Sequence, residues 1–164
     1  MARKAFYSFH YKGDSHRASQ VRNIGVIEGN QSVSPNDWES LKRQGDAAVK
    51  AWIAKEMTGK SCVVVLVGTE TARRPWISYE IEKGWNDGKG VVGIRIHKLK
   101  NLDGYTASPG ADPFAGFTLT DGRPMSSVVK LYDPPGADSK QAYAWIANNI
   151  EAAVEEAITI RNGA

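Results

Sequence analysis

The sequence predicts a three-layer α/β domain with helices on both faces of a mostly parallel sheet, and three features point to it. "SCVVVLVG" (61 to 68) is a β-branched apolar run without alternation, the pattern of a strand covered on both faces. A helical stretch and then "GVVGIRIH" (90 to 97) follow it, which links strand, helix and strand in one crossover unit. A long amphipathic pattern after residue 138 supplies a further helix to cover the sheet.

The elements follow in order. "KAFYSFHY" reads as the first strand, with Phe6, Ser8 and His10 on one side and Tyr7, Phe9 and Tyr11 on the other, so that both faces are aromatic. "KGDSH" reads as a loop, and Ser15 as the cap of a helix running to about Ile27 on Val21, Ile24 and Ile27. After the polar connection "EGNQSVSPND", one amphipathic helix begins near Trp38, capped by Asp37. Leu41, Ala48, Val49, Trp52 and Ile53 are its apolar positions and Gly45 a weak point. Beyond the 61 to 68 strand, Pro75 suits the first turn of a helix, where its missing N–H costs nothing. Ile77, Ile81 and Trp85 form the inward stripe of that helix, and Trp76 and Glu80 share another face.

The segment from about 100 to 126 is rich in Gly, Pro, Asp and Ser and carries Tyr105, Phe114 and Phe117; a connection of this length reads as functional or mobile. "SVVKLYD" (127 to 133) is a short strand ended by Pro134 and Pro135. Asp138, with Gln141 as capping-box partner, opens the last helix. Its apolar positions 142, 145, 146, 149 or 150, 153, 154, 157 and 158 carry it to about Asn162 and Gly163. No repeat or linker intervenes, so residues 1 to 164 read as one domain. Ligands of such sheets bind outside the carboxyl ends of the strands, here "FHYKGDSH", "GTETARRPW" and "HKLKNLDGY".

Composition excludes several classes. With 164 residues, 41% hydrophobic and 24% charged, the chain is long enough to bury its own core and is not of disordered type. Cys62 is the single cysteine, so no internal disulfide forms, and its apolar run makes it a small buried hydrophobe. A net charge of +3 from scattered Lys and Arg, with "HKLK" the nearest approach to a cluster, does not suggest a nucleic-acid partner. "MARKAFYSFHY" has no apolar leader core and no run approaches the roughly 20 apolar residues of a membrane helix, so a cytoplasmic protein without membrane contact is expected. The phosphate-loop, dinucleotide-binding and nucleophile-elbow patterns are all missing. The acidic residues of a phosphoacceptor receiver are missing too. His10, His16 and His97 lack metal-ligand spacing, so neither a metal nor a cofactor is expected.

Glu80 remains. A carboxylate near a helix start has an ordinary use, answering unpaired backbone donors in the favourable field of the helix dipole. Among Phe9, Trp76, Tyr79 and Tyr105 it has a chemical one: it can stabilise an oxocarbenium-like sugar and accept hydrogen bonds from ribose hydroxyls, while aromatic faces stack on a base or a pyridinium ring. When the leaving group is already cationic, as nicotinamide is in NAD, no general acid is needed. One carboxylate then suffices.

"FYSFHY" on the first strand and "GTETARRPWISYEI" later in the chain resemble the TIR superfamily, with its aromatic-rich F-x-S-F/Y opening strand and its catalytic glutamate in a W-x-x-x-E context. More narrowly, "SFHY", "DWESLKR", "VLVGTETARRPWISYEI", "VVGIRIH" and "PGADPF", spread over about residues 4 to 117, are similar to the TIR-like subunit of the Thoeris anti-phage defence system. The resemblance implies a flavodoxin-like fold in a single TIR-like domain. It implies an enzyme that consumes NAD as substrate and, on infection, makes a cyclic ADP-ribose isomer. That diffusible second messenger would reach a separate effector protein, since no second domain follows residue 164. Assembly into a homo-oligomer on activation is compatible with this reading.

Carried over residue by residue, Glu80 matches the catalytic glutamate, Phe9 and His10 the first-strand motif bordering the nucleotide pocket, and Trp76 and Tyr79 the helix context of the glutamate. With Tyr105, these are the expected substrate-binding residues. Each also has a structural use: Phe9 and Trp76 as core aromatics, His10 as a satisfied strand histidine, Tyr79 as an amphipathic surface side chain. Asp37, Trp38 and Glu39 match a family segment too, although helix capping accounts for Asp37. Cyclisation requires exclusion of water, and the aromatic loop of Tyr105, Phe114 and Phe117 is the expected lid. The alternative in another class is a TIR-like module that binds a nucleotide or protein without consuming it, and a third is a self-assembling scaffold.

Overall fold

A computed structural model describes residues 3–164. Its strands are β1 (Ala5–Ser8), β2 (Cys62–Val67), β3 (Gly90–Arg95) and β4 (Lys130–Tyr132), paired in parallel in the order β1-β2-β3-β4. Its helices are α1 (Tyr11–Arg22), α2 (Pro35–Arg43), α3 (Asp46–Met57), α4 (Pro75–Asn86) and α5 (Ser139–Asn162). The free edge of β1 carries one further parallel bridge, Lys4 to Glu28, closed by backbone bonds of 2.9 Å from Ala5 to Glu28 and from Glu28 to Arg3. With Glu28 counted as a one-residue strand, the spatial order becomes second, first, third, fourth, fifth, which is the flavodoxin-like order. The chain leaves β1 toward one edge and re-enters the sheet on its other side at β2. The carboxyl ends of β1 and β2 therefore form the topological switch point.

Strand alternation sorts the helices into two layers. Tyr7, Val64 and Gly90 share one face, where Tyr7 meets Arg22 of α1 and Gly90 lies against the Ala157 backbone of α5. Phe6, Val63 and Val91 share the other, where Phe6 meets Trp52 of α3 and Val63 and Val91 face Gly84 of α4. β2 is buried throughout, in keeping with its unbroken apolar run. No helix among the described residues is long and apolar enough to cross a membrane.

Several boundaries differ from the sequence expectation. α1 starts at Tyr11 and ends at Arg22, so "KGDSH" is helical and Ser15 bonds back to the Tyr11 carbonyl instead of capping. The turn-like Gly-Asp-Ser composition is overridden by tertiary contacts: Asp14 is buried, paired with Arg17 at 2.9 Å, and pressed against Gly68, which has no side chain to obstruct it. The expected single helix from Trp38 is two, because Gly45 takes a positive φ of 103° between α2 and α3. Ser34 caps α2 in place of Asp37, accepting the Asp37 N–H at 3.1 Å. The last strand is shorter than expected because a 3₁₀ turn, Met125–Ser127, occupies its start. Asp138 does cap α5, but the Gln141 side chain accepts from Ala137 rather than from Asp138.

Candidate functional site

A cleft of about 310 Å³ opens at the switch point. Phe9 and His10 enter it from the β1–α1 connection, Tyr11 and Lys12 from the first turn of α1, Trp38, Glu39 and Lys42 from α2, and Arg74 to Ile77 and Glu80 from the start of α4. Local chemistry aims α4 at this place. β2 stops at Val67, the Thr71 hydroxyl accepts the Gly68 N–H at 2.7 Å, Arg73 takes a left-handed φ of 67°, and Pro75 opens the helix.

Glu80 lies in the second turn of α4, beyond the free N–H groups of the helix start, and is 3% exposed. Capping is therefore not its use. It shares the cleft-lining face with Trp76, as the spacing predicts, and is also buried, as are Ile77, Ile81 and Gly84. Its Oε1 accepts the Ser8 hydroxyl of β1 at 2.6 Å, and no ion pair to it forms among the described residues. Burial pushes the carboxyl up to about 8, with the Ser8 hydrogen bond pulling the other way. Burial thus favours its neutral form.

Aromatic rings build one wall. Phe9 meets Tyr11 at 4.5 Å and Tyr11 stacks on Trp38 at 4.8 Å, which in turn meets Trp52 edge-on at 5.8 Å. Burial raises the Tyr11 phenol above its usual range, with Glu80 adding to the effect, so it stays a neutral donor. His10, half-buried, is held below the ordinary imidazole value first by burial and then by Arg74. Lys12, Lys42 and Arg74 give the lining a cationic excess over Glu39, which pairs with Lys42 at 2.9 Å. The site can place a flat ring against aromatics, a ribose against a buried carboxyl, and anionic groups among cations.

Of the residues singled out in the sequence, Phe9, His10, Trp76 and Glu80 come together here. Tyr79 lies outside the lining; its ring stands edge-on to Trp76 at 5.5 Å and receives Lys50 at 5.6 Å. Tyr105 is also outside it, 69% exposed, with its carbonyl held by Arg17. The expected aromatic lid is not assembled: Phe114 is fully buried against Gly93, and Phe117 lines a separate groove with Pro113. Ser8, Tyr11, Lys12, Trp38, Lys42 and Arg74 were not expected as site residues. For Trp38 and Glu39 a signal existed in the family-like segment around "DWESLKR"; for Ser8 only its place within "FYSF" hinted at it.

Residues 6–101 match the family described as Thoeris protein ThsB, TIR-like domain. A protein of Bacillus cereus (strain MSX-D12), named "Putative cyclic ADP-D-ribose synthase ThsB1", is 36% identical over 119 residues, which cover 70% of this chain and 62% of that protein. The chain thus matches somewhat under two thirds of that relative's length.

Proposed function

Because the chain belongs to the Thoeris ThsB TIR-like domain family, we propose that it is a cytoplasmic NAD-consuming enzyme. It cleaves the nicotinamide–ribose bond and closes the remaining ADP-ribose into a cyclic isomer, which signals to a separate effector protein in anti-phage defence. The observation that carries this reading is the Glu80 carboxyl at the floor of an aromatic-walled cleft at the switch point.

The positive nicotinamide ring stacks on the aromatic wall, and its charge lowers the Glu80 pKa, so the carboxyl gives up its proton to solvent as substrate arrives. The C1′–N bond breaks with its electron pair going to nicotinamide, which leaves neutral. The carboxylate stabilises the oxocarbenium-like ribose that remains. A nucleophile within the same ADP-ribose attacks C1′ and releases one proton; water attacking instead gives linear ADP-ribose. Mass spectrometry of the nucleotides formed from NAD by wild type and Glu80→Gln tests the reading, since the amide keeps the shape but cannot carry the charge.

A second reading, a module that binds a nucleotide without consuming it, draws on the burial of Glu80, which favours its neutral form. Under it, NAD binds and persists, and Glu80→Gln binds as well as wild type.

A further inference from the structure

We infer that Ser8 is the positioning residue of the Glu80 carboxyl: its hydroxyl fixes one oxygen and so turns the other toward the cleft. This rests on the reading of Glu80 as the carboxyl that acts on the ribose. The bond of 2.6 Å joins the last residue of β1 to the second turn of α4 across 72 residues, and both side chains are buried. Oε2 takes no protein partner among the described residues, yet His97 Nδ1 is the one sealed and unpartnered side-chain nitrogen or oxygen among them. Oε2 is therefore not sealed, and since Glu80 lines the cleft, this oxygen opens into it.

A helical glutamate has three rotatable side-chain bonds, and a donor on one oxygen selects one of its rotamers. The same donor favours the ionised form, offsetting part of the burial penalty. The ionisable groups that face the cleft are His10 before α1, Tyr11 and Lys12 in its first turn, Glu39 and Lys42 from α2, and Arg74 before α4. None of them hydrogen-bonds Glu80 among the described residues. Ser8 alone supplies the directed contact.

The test compares wild type, Ser8→Ala, Ser8→Thr and Glu80→Gln by two readouts. Carboxyl-carbon NMR of protein labelled at the glutamate carboxyls follows the Glu80 titration, identified by its loss in Glu80→Gln. NAD turnover is measured in parallel. Ser8→Ala is expected to raise the Glu80 midpoint above the wild-type value and to lower kcat roughly tenfold or more, with KM changed less than about twofold. Ser8→Thr, which keeps the hydroxyl, is expected to restore both. An unmoved Glu80 midpoint in Ser8→Ala overturns the inference even when NAD is consumed, and so does a moved midpoint with unchanged kcat. A moved midpoint with no turnover in wild type overturns the enzymatic reading and with it the role given to Ser8.

Discussion

Glu80 is a buried carboxyl whose one hydrogen-bond partner among the described residues is neutral, the Ser8 hydroxyl. Its pKa of about 8 lies above the ordinary carboxylate value of 4.5, so the folded state keeps a proton that the unfolded state gives up. Between those values stability falls as pH rises, by up to about 1.4 kcal/mol per pH unit. Glu80→Gln has no such penalty. Its melting temperature should rise relative to wild type from about pH 5 to about pH 8, and thermal scans across that window check it. A difference that stays flat with pH would show that Glu80 ionises as freely folded as unfolded. The sequence showed Glu80 through its tryptophan context but not its partner, since Ser8 lies 72 positions away and only folding brings the two together. Tyr105 misled for the same reason: an aromatic residue in a long loop near a strand end does not state which side of α1 the loop will pack on.

Among the elements, legibility tracked the length of the regular pattern. α5 and β2 are long and uniform: β2 is buried throughout, and of the positions predicted to face inward in α5, 142, 146, 150, 153, 154 and 157 are buried while Trp145 and Ile158 are partly so. α1 was misplaced at its start because Gly13, Asp14 and Ser15 are turn formers whose helical state depends on the buried Asp14–Arg17 pair. At α2 the capping competition went to Ser34, placed before Pro35, over Asp37. Ser34→Ala should cost about 1 kcal/mol and Asp37→Ala clearly less, as read from urea denaturation midpoints. The reverse ranking would contradict the observed cap. α4 sits close to the sheet because position 84 is glycine: an added Cβ would lie 2.5 Å from Val63 Cγ2, in the core. Gly84→Ala gains about 1 kcal/mol in helix propensity, but overpacking costs about 1–3 kcal/mol, so a net loss of stability is expected. Because α4 also carries Glu80, NAD turnover should fall with it, and a stabilised, fully active variant would contradict the close packing.

At the scale of the whole molecule, the order of the sheet decides where function lies. Glu28 on one side of β1 and β2 on the other make the switch point, and there the β1–α1 turn, α2 and the start of α4 converge on one cleft. The parallel sheet and both helical layers were legible from apolar runs and helical spacing. Trp38 in the cleft wall was not assigned there, because the break at Gly45 that orients α2 separately from α3 depends on a backbone angle that composition does not state. We propose that this cleft consumes NAD through Glu80. The most direct measurement is mass spectrometry of the nucleotides formed when purified protein is incubated with NAD, beside Glu80→Gln, with and without extract from phage-infected cells. Loss of NAD with a product at the mass of ADP-ribose minus water, absent in the variant, is the predicted result; intact NAD in every condition, with binding retained, would contradict it.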